Sequence, residues 1–228
     1  MSKRRRENEK LKTDTPMEAA DAFKALKKFK APKFDQSVEV VFHLGVDVKQ
    51  ADQMIRGSVS LPKGIGKAKR VIAFCKPEQV GAMKEAGAVE AGGDDLVAKI
   101  EGGWFDFDVA ISSPDMMRDI SKLGRTLGPK GLMPSPKNGT VTPKVLDAVK
   151  EFAAGKVEYR TDKGGNVHAV IGKMSFPEGD LLANFNHFAE TIERARPNSV
   201  KGEYIKKITV SGAMTPGVQI ARAVAVEA

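Results

Sequence analysis

The spacing of hydrophobic and polar positions divides the chain into three stretches with different rhythms. In the first stretch, residues 37–44 (SVEVVFHL) are β-branched and partly alternating, which predicts a strand. A helix is predicted before it, because Thr15 and Pro16 are typical of a helix start and apolar side chains follow at helical spacing until Pro32. Residues 59–61 are predicted to form a second short strand.

From residue 70, short apolar runs alternate with helical segments. Strands are predicted at 71–75 (VIAFC), 89–93 and 108–112 (DVAIS), and helices at 77–86, 94–100, 114–123 and 143–154. Strands and helices that alternate at this spacing favour a small parallel α/β unit.

From residue 156 the pattern returns to alternating strands. Residues 157–160 (VEYR) and 167–172 (VHAVIG), joined by the turn-type residues 161–166 (TDKGGN), predict a β-hairpin. The rest of this stretch predicts a long amphipathic helix, a strand, and a bend with a last strand, at 177–196, 204–210 and 211–220.

These rhythms predict an α/β (α+β) protein of two domains. Both chain ends, residues 13–67 plus 157–228, are predicted to form an antiparallel-sheet domain with two packed helices. Residues 68–156 are predicted to form an α/β domain inserted between them, and residues 1–12 (MSKRRRENEKLK) are a basic N-terminal arm.

Composition narrows the class of protein. A chain of 228 residues with 41% hydrophobic and 29% charged residues is ordinary globular composition. The single cysteine, Cys75, excludes an internal disulfide framework, and the three histidines lie too far apart for metal-ligand spacing, so no metal site is expected. No apolar run approaches the roughly 20 residues of a membrane span, and the charged N-terminus lacks a secretory signal. We therefore expect a soluble, cytoplasmic protein without a membrane partner.

The net charge of +8 is unevenly distributed. The arm holds six basic and two acidic side chains, and residues 118–137 hold five basic side chains against Asp119 alone. Such a charge favours a polyanionic partner. An arm of this kind is expected to be disordered until it meets an anion, or simply to serve as a solvated tail.

Residues 60–67 (SLPKGIGK) have some likeness to a phosphate loop. A phosphate loop follows a strand and opens a helix, whereas these glycines precede the strand VIAFC. We therefore expect no nucleotide cofactor and no enzyme activity, and we interpret Gly64 and Gly66, together with Gly155 at the second boundary, as hinge residues between the domains. The alternative is a nucleotide-using enzyme built on the inserted α/β unit.

Several lysines lie next to glycines or turns, where a phosphate or sugar can approach the backbone. Lys33 precedes the first strand, Lys163 lies in the predicted hairpin turn, and Lys173 follows Gly172. With 6% aromatic residues, base stacking on an open sheet is not favoured, and recognition of folded RNA by shape, phosphates and 2′-OH groups suits the composition better. The alternative is that these residues are only turn chemistry.

The chain resembles the large-subunit ribosomal protein L1 family in its bacterial form. The resemblance covers nearly the whole chain after the arm, and its most distinctive strings are DQMIRGSVSLPKGIGK (52–67), LGRTLGPKGLMPSPKNGTVT (123–142) and YRTDKGGNVHAVIGKMSF (159–176), with FDQSVEVVFHLGVD (34–47) and SGAMTPGV (211–218). It implies an RNA-binding domain formed by the chain ends and an inserted Rossmann-like domain. It also implies a monomer within the ribosome, without cofactors.

The resemblance further implies three RNA partners. These are the three-way junction of large-subunit rRNA at the base of the mobile stalk, exit-site tRNA whose release the protein assists, and in many bacteria the protein's own operon mRNA, whose translation it represses. A free-standing regulator whose main target is messenger RNA is the alternative.

The residues that the resemblance places at the RNA share phosphate-binding, hydroxyl-bonding or backbone-approach chemistry. They are Lys33, Phe34, Ser37, Glu39, Asp162, Lys163, Gly164, His168, Gly172, Lys173, Ser211, Met214 and Thr215. One departure concerns the last string, where relatives usually have Thr-Thr-Met-Gly-Pro and this chain has Ala213 and Thr215 in place of a threonine and a glycine.

Overall fold

The computed structural model describes residues 3–50 and 52–221. Residues 1–2 of the predicted arm, Ala51 and residues 222–228 of the predicted end-formed domain lie outside the described residues. The chain divides into two compact units. The first, here called the end unit, combines the described residues up to Gly66 with those from Val157 onward, and the second, the inserted unit, spans Lys67–Lys156.

The described residues contain strands and helices in the following order. The strands are β1 (Ser37–Leu44), β2 (Arg56–Val59), β3 (Val71–Phe74), β4 (Ala88–Gly92), β5 (Val109–Ser112), β6 (Val157–Arg160), β7 (Asn166–Lys173), β8 (Ile205–Gly212) and β9 (Val218–Ile220). The helices are α1 (Lys3–Leu11), α2 (Ala19–Lys28), α3 (Val80–Glu85), α4 (Asp94–Glu101), α5 (Met117–Ile120), α6 (Gly124–Leu127), α7 (Val145–Ala153) and α8 (Glu178–Arg194). None of these helices is long and apolar enough to cross a bilayer.

The end unit is built on a four-stranded antiparallel sheet in the order β7-β1-β8-β9. Alternate residues of β1, from Val38 to Leu44, are buried, because a strand turns successive side chains to opposite faces. They pack with α2 and α8 in one hydrophobic core, where the ring of Phe42 lies 6.2 Å from Phe185 and 5.6 Å from Phe188. Among the described residues, no helix of this core packs against the other face of the sheet.

The structure differs in part from the predicted hairpin of residues 157–172, because β6 belongs to a separate two-stranded sheet with β2. β6 pairs in register with β2, from Arg56 opposite Arg160 to Val59 opposite Val157. Towards β7 the chain keeps the turn end of the hairpin, where Thr161 bridges to Val167 and the Asp162 N–H donates to the Asn166 carbonyl at 2.8 Å. Pairing with β2 is favoured by burial, because in this position β6 places Val157 and Tyr159 in the hydrophobic core of the end unit. The strand predicted at 59–61 accordingly begins earlier, at Arg56.

The loop that follows β2 is pinned to α8 by Asn184. This fully buried side chain accepts a hydrogen bond from the backbone N–H of Lys63 at 3.0 Å and donates to the carbonyl oxygens of Gly64 at 2.9 Å and Ile171 at 2.8 Å. A buried amide is stabilising only when its hydrogen bonds are made, and here all three are made to backbone groups. The glycine-containing segment before the unit boundary is therefore a defined loop.

The inserted unit is a three-layer α/β/α arrangement. Its parallel sheet has the order β4-β3-β5, and both faces of β3 are buried. Val71 and Ala73 pack in a core with α3 and α7, whereas Ile72 and Phe74 pack in a core with α4 and α5. A strand covered on both faces reads as a continuous apolar run, which is the pattern VIAF. The helix predicted at 114–123 is broken into 3₁₀ turns and the short α5, and α6 follows directly.

The N-terminal segments correct two further predictions. The arm is not disordered, because residues from Lys3 to Leu11 form α1. The next helix does not start at Thr15–Pro16, since Met17 pairs with Ile220 as an extra strand residue, and α2 begins at Ala19. In both cases contacts to distant parts of the chain override the local sequence pattern.

Candidate nucleic-acid interface

The uncovered face of the four-stranded sheet, here called the open face, is lined by polar and small apolar side chains. On β1 these are the residues that alternate with the buried ones: Ser37, Glu39, Val41 and His43. The strand register sets Glu39 between Val170 and Ser211, and it sets Val41 between His168 and Thr209. Neighbouring strands lie about 4.8 Å apart, so these side chains form adjacent rows.

One end of the open face, here called the Ser37 end, combines a cation with exposed apolar groups. The ammonium of Lys173 donates to the Ser37 hydroxyl at 2.8 Å, which places this charge beside the start of β1. Phe34 and Met214 leave 53% and 57% of their surface exposed. Large apolar side chains exposed together with a positive charge are typical of a binding surface. The preceding Lys33 is also exposed.

The turn that carries Met214 is held by hydrogen bonds at the Ser37 end. The Met214 N–H donates to Gln36 Oε1 at 2.8 Å, and the Ala213 N–H donates to the Ser37 carbonyl at 3.1 Å. Thr215 accepts from the Gly212 N–H through its hydroxyl at 2.8 Å. The hydroxyl of Thr215 therefore closes the turn, and Ala213 is exposed without one.

Gly172 lies under the surface rather than on it. Its φ is 156°, and a Cβ at this position would meet the side chains of Leu181 at 2.8 Å and Phe176 at 3.0 Å. The register of β1 and β7 shifts at this point, between Val38 and Glu39. Gly172 therefore shapes the strand so that Lys173 reaches Ser37, and it is too buried to offer a contact surface of its own.

The opposite end of the open face is a tight turn around Asp162. Its Oδ1 atom accepts from the backbone N–H groups of Gly164 and Asn166, both at 2.8 Å, and its Oδ2 atom lies 3.4 Å from Nε2 of His168. The side chain of Asn166 also bonds His43 at 2.8 Å. Asp162 thus organises the turn, while Lys163 and Gly164 are left exposed at its tip.

These hydrogen bonds hold the pKa of Asp162 down to about 2, with the backbone and side chain of Asn166 as the main cause. Because the folded-state pKa is below the ordinary value, the stabilisation of the turn is complete above about pH 4 and is lost as the pH falls towards 2. In Asn166→Ala the midpoint is expected to rise but to stay below the ordinary value, since the backbone N–H donors remain.

Carboxyl chemical shifts followed by NMR from pH 1.5 to pH 6 measure this midpoint. Asn186→Ala, an exposed change on α8, is the control and should leave it unchanged. A wild-type midpoint near pH 4 would contradict the assigned hydrogen bonds.

The two ends of the open face are about 20 Å apart, the length of the six steps from Ser37 to His43 along β1. Positive charge lies at each end, on Lys173 and Lys163, and Glu39 contributes one carboxylate between them. A surface of this length with a cation at each end matches the spacing of several backbone phosphates.

Three residues of the open face were not predicted from the sequence, namely the partly exposed Val41, Val170 and Thr209. The alternation within each strand is the pattern that would have indicated them.

The three predicted hinge glycines have left-handed backbone conformations. The φ angles of Gly64, Gly66 and Gly155 are 63°, 73° and 104°. Gly66 is the last residue of the first part of the end unit, and Gly155 lies one residue before the last of the inserted unit. A Cβ at Gly66 would meet Phe176 at 2.9 Å, so this position requires glycine for packing as well as for its backbone conformation.

The inserted unit offers little to a nucleotide phosphate. The segment 60–67 is followed by β3 rather than by a helix, and α4, the helix that follows β4, begins with Asp94 and Asp95. Two carboxylates in the first turn oppose the binding of an anion there. Across residues 3–50 and 52–221, no three His, Cys, Asp or Glu side chains converge as metal ligands.

Comparison of the sequence with protein-family models shows to which family the chain belongs. The model described as "Ribosomal protein L1p/L10e family" matches residues 26–216. The chain belongs to this family. It is therefore a ribosomal protein of the large subunit that binds rRNA, and its family consists of structural ribosomal proteins rather than enzymes. The matched residues of this ribosomal protein include both ends of the open face, and they begin after α1.

Proposed function

We propose that the open face of the end unit binds large-subunit rRNA at the three-way junction that forms the base of the mobile stalk. The observation that carries the proposal is the Ser37 end, where Lys173 sits 2.8 Å from Ser37 beside the exposed Phe34 and Met214. Lysine ammonium groups meet phosphates, and hydroxyl and carboxylate oxygens bond 2′-OH groups, which distinguish RNA from DNA.

The proposed contacts divide by role along the face. Lys33, Lys173 and Lys163 neutralise phosphates, Ser37, Glu39 and Ser211 accept or donate hydrogen bonds to riboses, and Met214 and Phe34 pack on a ribose or base. His168 and the turn made by Asp162 and Gly164 contact the backbone at the far end, while Thr215 and Gly172 shape the surface. Because the turns are already hydrogen-bonded, little ordering is needed on binding, which favours affinity.

Co-sedimentation tests the ribosomal assignment. The protein, at its natural abundance in lysate, is expected to sediment with large subunits in a sucrose gradient, as one copy per subunit, and to leave them when the salt concentration is raised. A protein found mainly with messenger RNA, away from large subunits, would favour the free-standing regulator instead.

The inserted unit supports a second contact, to exit-site tRNA. Arg118 and Arg125 are exposed and, among the described residues, form no ion pair. Nearby, Lys122 approaches Asp119 at 3.9 Å, and the ammonium of Lys130 lies 3.3 Å from the ring centre of Phe105. We propose that this basic segment contacts the tRNA backbone and assists the release of deacylated tRNA.

Removing two of these charges separates the two RNA contacts. Arg118→Gln with Arg125→Gln is expected to lower the affinity of ribosomes for exit-site tRNA about tenfold, while rRNA affinity changes less than twofold. Lys144→Gln with Lys150→Gln, which removes the same charge from exposed positions of the inserted unit, is the control. Equal effects of both double variants on tRNA would contradict the assignment.

The same open face would also hold an mRNA segment that mimics the rRNA junction, and we propose this as the route to repression of the operon. Both RNAs then compete for one surface. Junction rRNA in excess should therefore release the operon leader RNA completely, and simultaneous binding of the two would contradict the proposal.

A further inference from the structure

Helix α1 lies outside the residues matched by the family model, yet it reaches the Ser37 end of the open face. A groove of about 310 Å³ separates α1 from the turn that carries Met214. Its walls are formed by four residues from α1 and four from the turn, namely Arg4, Arg5, Asn8, Glu9, Ala213, Met214, Thr215 and Pro216.

The position of α1 is fixed by Asn8, whose side chain is 1% exposed. Its amide nitrogen donates to the carbonyl of Lys30 at 3.1 Å, and its Oδ1 accepts from the Lys30 N–H at 2.8 Å. Lys30 in turn forms an ion pair with Glu7 at 2.9 Å. A side-chain amide that bonds both polar groups of one backbone residue sets the rotation of the helix about its axis. Because Arg4 and Asn8 are four residues apart, both face the groove.

The chemistry of the groove suits a nucleotide. Arg4 and Arg5 supply guanidinium groups, which bind phosphate oxygens bidentately and stack on bases. The exposed thioether of Met214 offers an apolar surface on the opposite wall. Within α1 as a whole, five basic side chains outnumber two acidic ones. A volume of about 310 Å³ is at the small end of ligand sites, of a size for one nucleotide rather than a folded element.

We propose that this groove binds one further nucleotide of the rRNA strand that lies on the open face, with Arg4 and Arg5 on its phosphates and Met214 against its ribose or base. The inference rests on the proposed function, since it extends the same RNA past the Ser37 end. It assigns to α1 a contact that the family-matched residues alone do not provide.

The test compares two double variants of the full chain that remove the same charge. Arg4→Gln with Arg5→Gln changes the groove, whereas Arg6→Gln with Lys10→Gln changes α1 away from it. Glutamine has nearly the helix propensity of arginine and lysine, so circular dichroism should show α1 retained in both. The groove variant is expected to bind junction RNA about tenfold more weakly at 0.15 M salt, and the magnitude of its salt slope should fall by about 1.4 to 1.8. The control should lose less than threefold.

A hydroxyl-radical footprint supplies an independent readout. Wild-type protein is expected to protect one or two nucleotides that the groove variant leaves exposed, while protection over the rest of the junction persists in both. Equal losses of affinity in the two variants, or identical footprints, would overturn the groove contact while leaving the proposed function intact. Failure of the wild-type chain to bind junction RNA would overturn both.

Discussion

Reversal of the charge at Lys173 (Lys173→Glu) is expected to weaken the binding of junction rRNA by about a hundredfold. The ammonium of Lys173 lies 2.8 Å from the Ser37 hydroxyl, at the end of the open face where exposed apolar groups also gather. A charged hydrogen bond contributes about 1.5–3 kcal/mol, and a carboxylate placed there also repels the phosphate. The two effects together exceed the loss expected from a neutral substitution.

Filter binding or calorimetry at fixed salt measures the change, and Lys150→Glu in the inserted unit is the matched control. Lys150 is exposed on α7, so the same change of net charge there should alter the affinity less than threefold. Equal effects of the two variants would show that rRNA responds to overall charge, and the open face would lose its special role. Thermal unfolding of both variants checks that the fold is kept.

Truncation of Phe185 to alanine is expected to lower the free energy of unfolding of the end unit by about 4 kcal/mol. Phe185 is 1% exposed, and its ring lies 5.9 Å from Phe23 and 6.2 Å from Phe42, so its loss leaves a cavity between α2, α8 and β1. For a unit of this size the midpoint of thermal unfolding should fall by about 15 °C. Binding of rRNA should disappear at the same lower temperature.

Phe152→Ala provides the matched comparison in the inserted unit. Phe152 is fully buried in the core formed by α7, α3 and β3, so the same truncation costs a similar free energy there. Calorimetric scans should show the two transitions shifting separately. At a temperature where each variant has lost its own unit, Phe152→Ala should still bind junction rRNA and Phe185→Ala should not. The opposite result would place the RNA contact in the inserted unit.

The spacing of hydrophobic residues predicts correctly those strands whose side-chain burial follows directly from it. The sequence SVEVVFHL is a half-buried strand, and VIAFC becomes β3, which is apolar because helices cover both of its faces. The family model bears out the two-domain α/β fold class. These elements depend on burial alone, and burial is what alternation and apolar runs record.

The misplaced elements depend on partners far away in the chain. β6 forms its strand ladder with β2, some 100 residues earlier, so the predicted hairpin keeps only its turn end. Met17 pairs with Ile220 at the edge of the sheet. No pattern in the arm sequence predicts that the Asn8 side chain forms hydrogen bonds with both the backbone N–H and the carbonyl of Lys30. Long-range pairing of this kind has no local pattern in the sequence.

The candidate site divides in the same way. Lys163 and Lys173 attract attention in the sequence because they lie next to glycines, whereas Ser211 and Met214 were named only through the family resemblance. Their neighbours come from the register of β8 against β1, which sets Ser211 beside Glu39. Gln36 is fully buried and accepts a hydrogen bond from the Met214 N–H, but no sequence pattern indicated that it belongs to the site.

The most direct test of the account is rRNA binding by the end unit alone. Residues 67–156 are replaced by a short Gly-Ser linker, which the geometry permits because Val59 lies opposite Val157 in the β2–β6 ladder and only the pinned loop up to Gly66 must be connected. This shortened chain is expected to fold and to bind junction rRNA within about threefold of the full chain. A folded end unit that binds more than a hundredfold more weakly, or an isolated inserted unit that binds with full affinity, would contradict the assignment of rRNA to the open face.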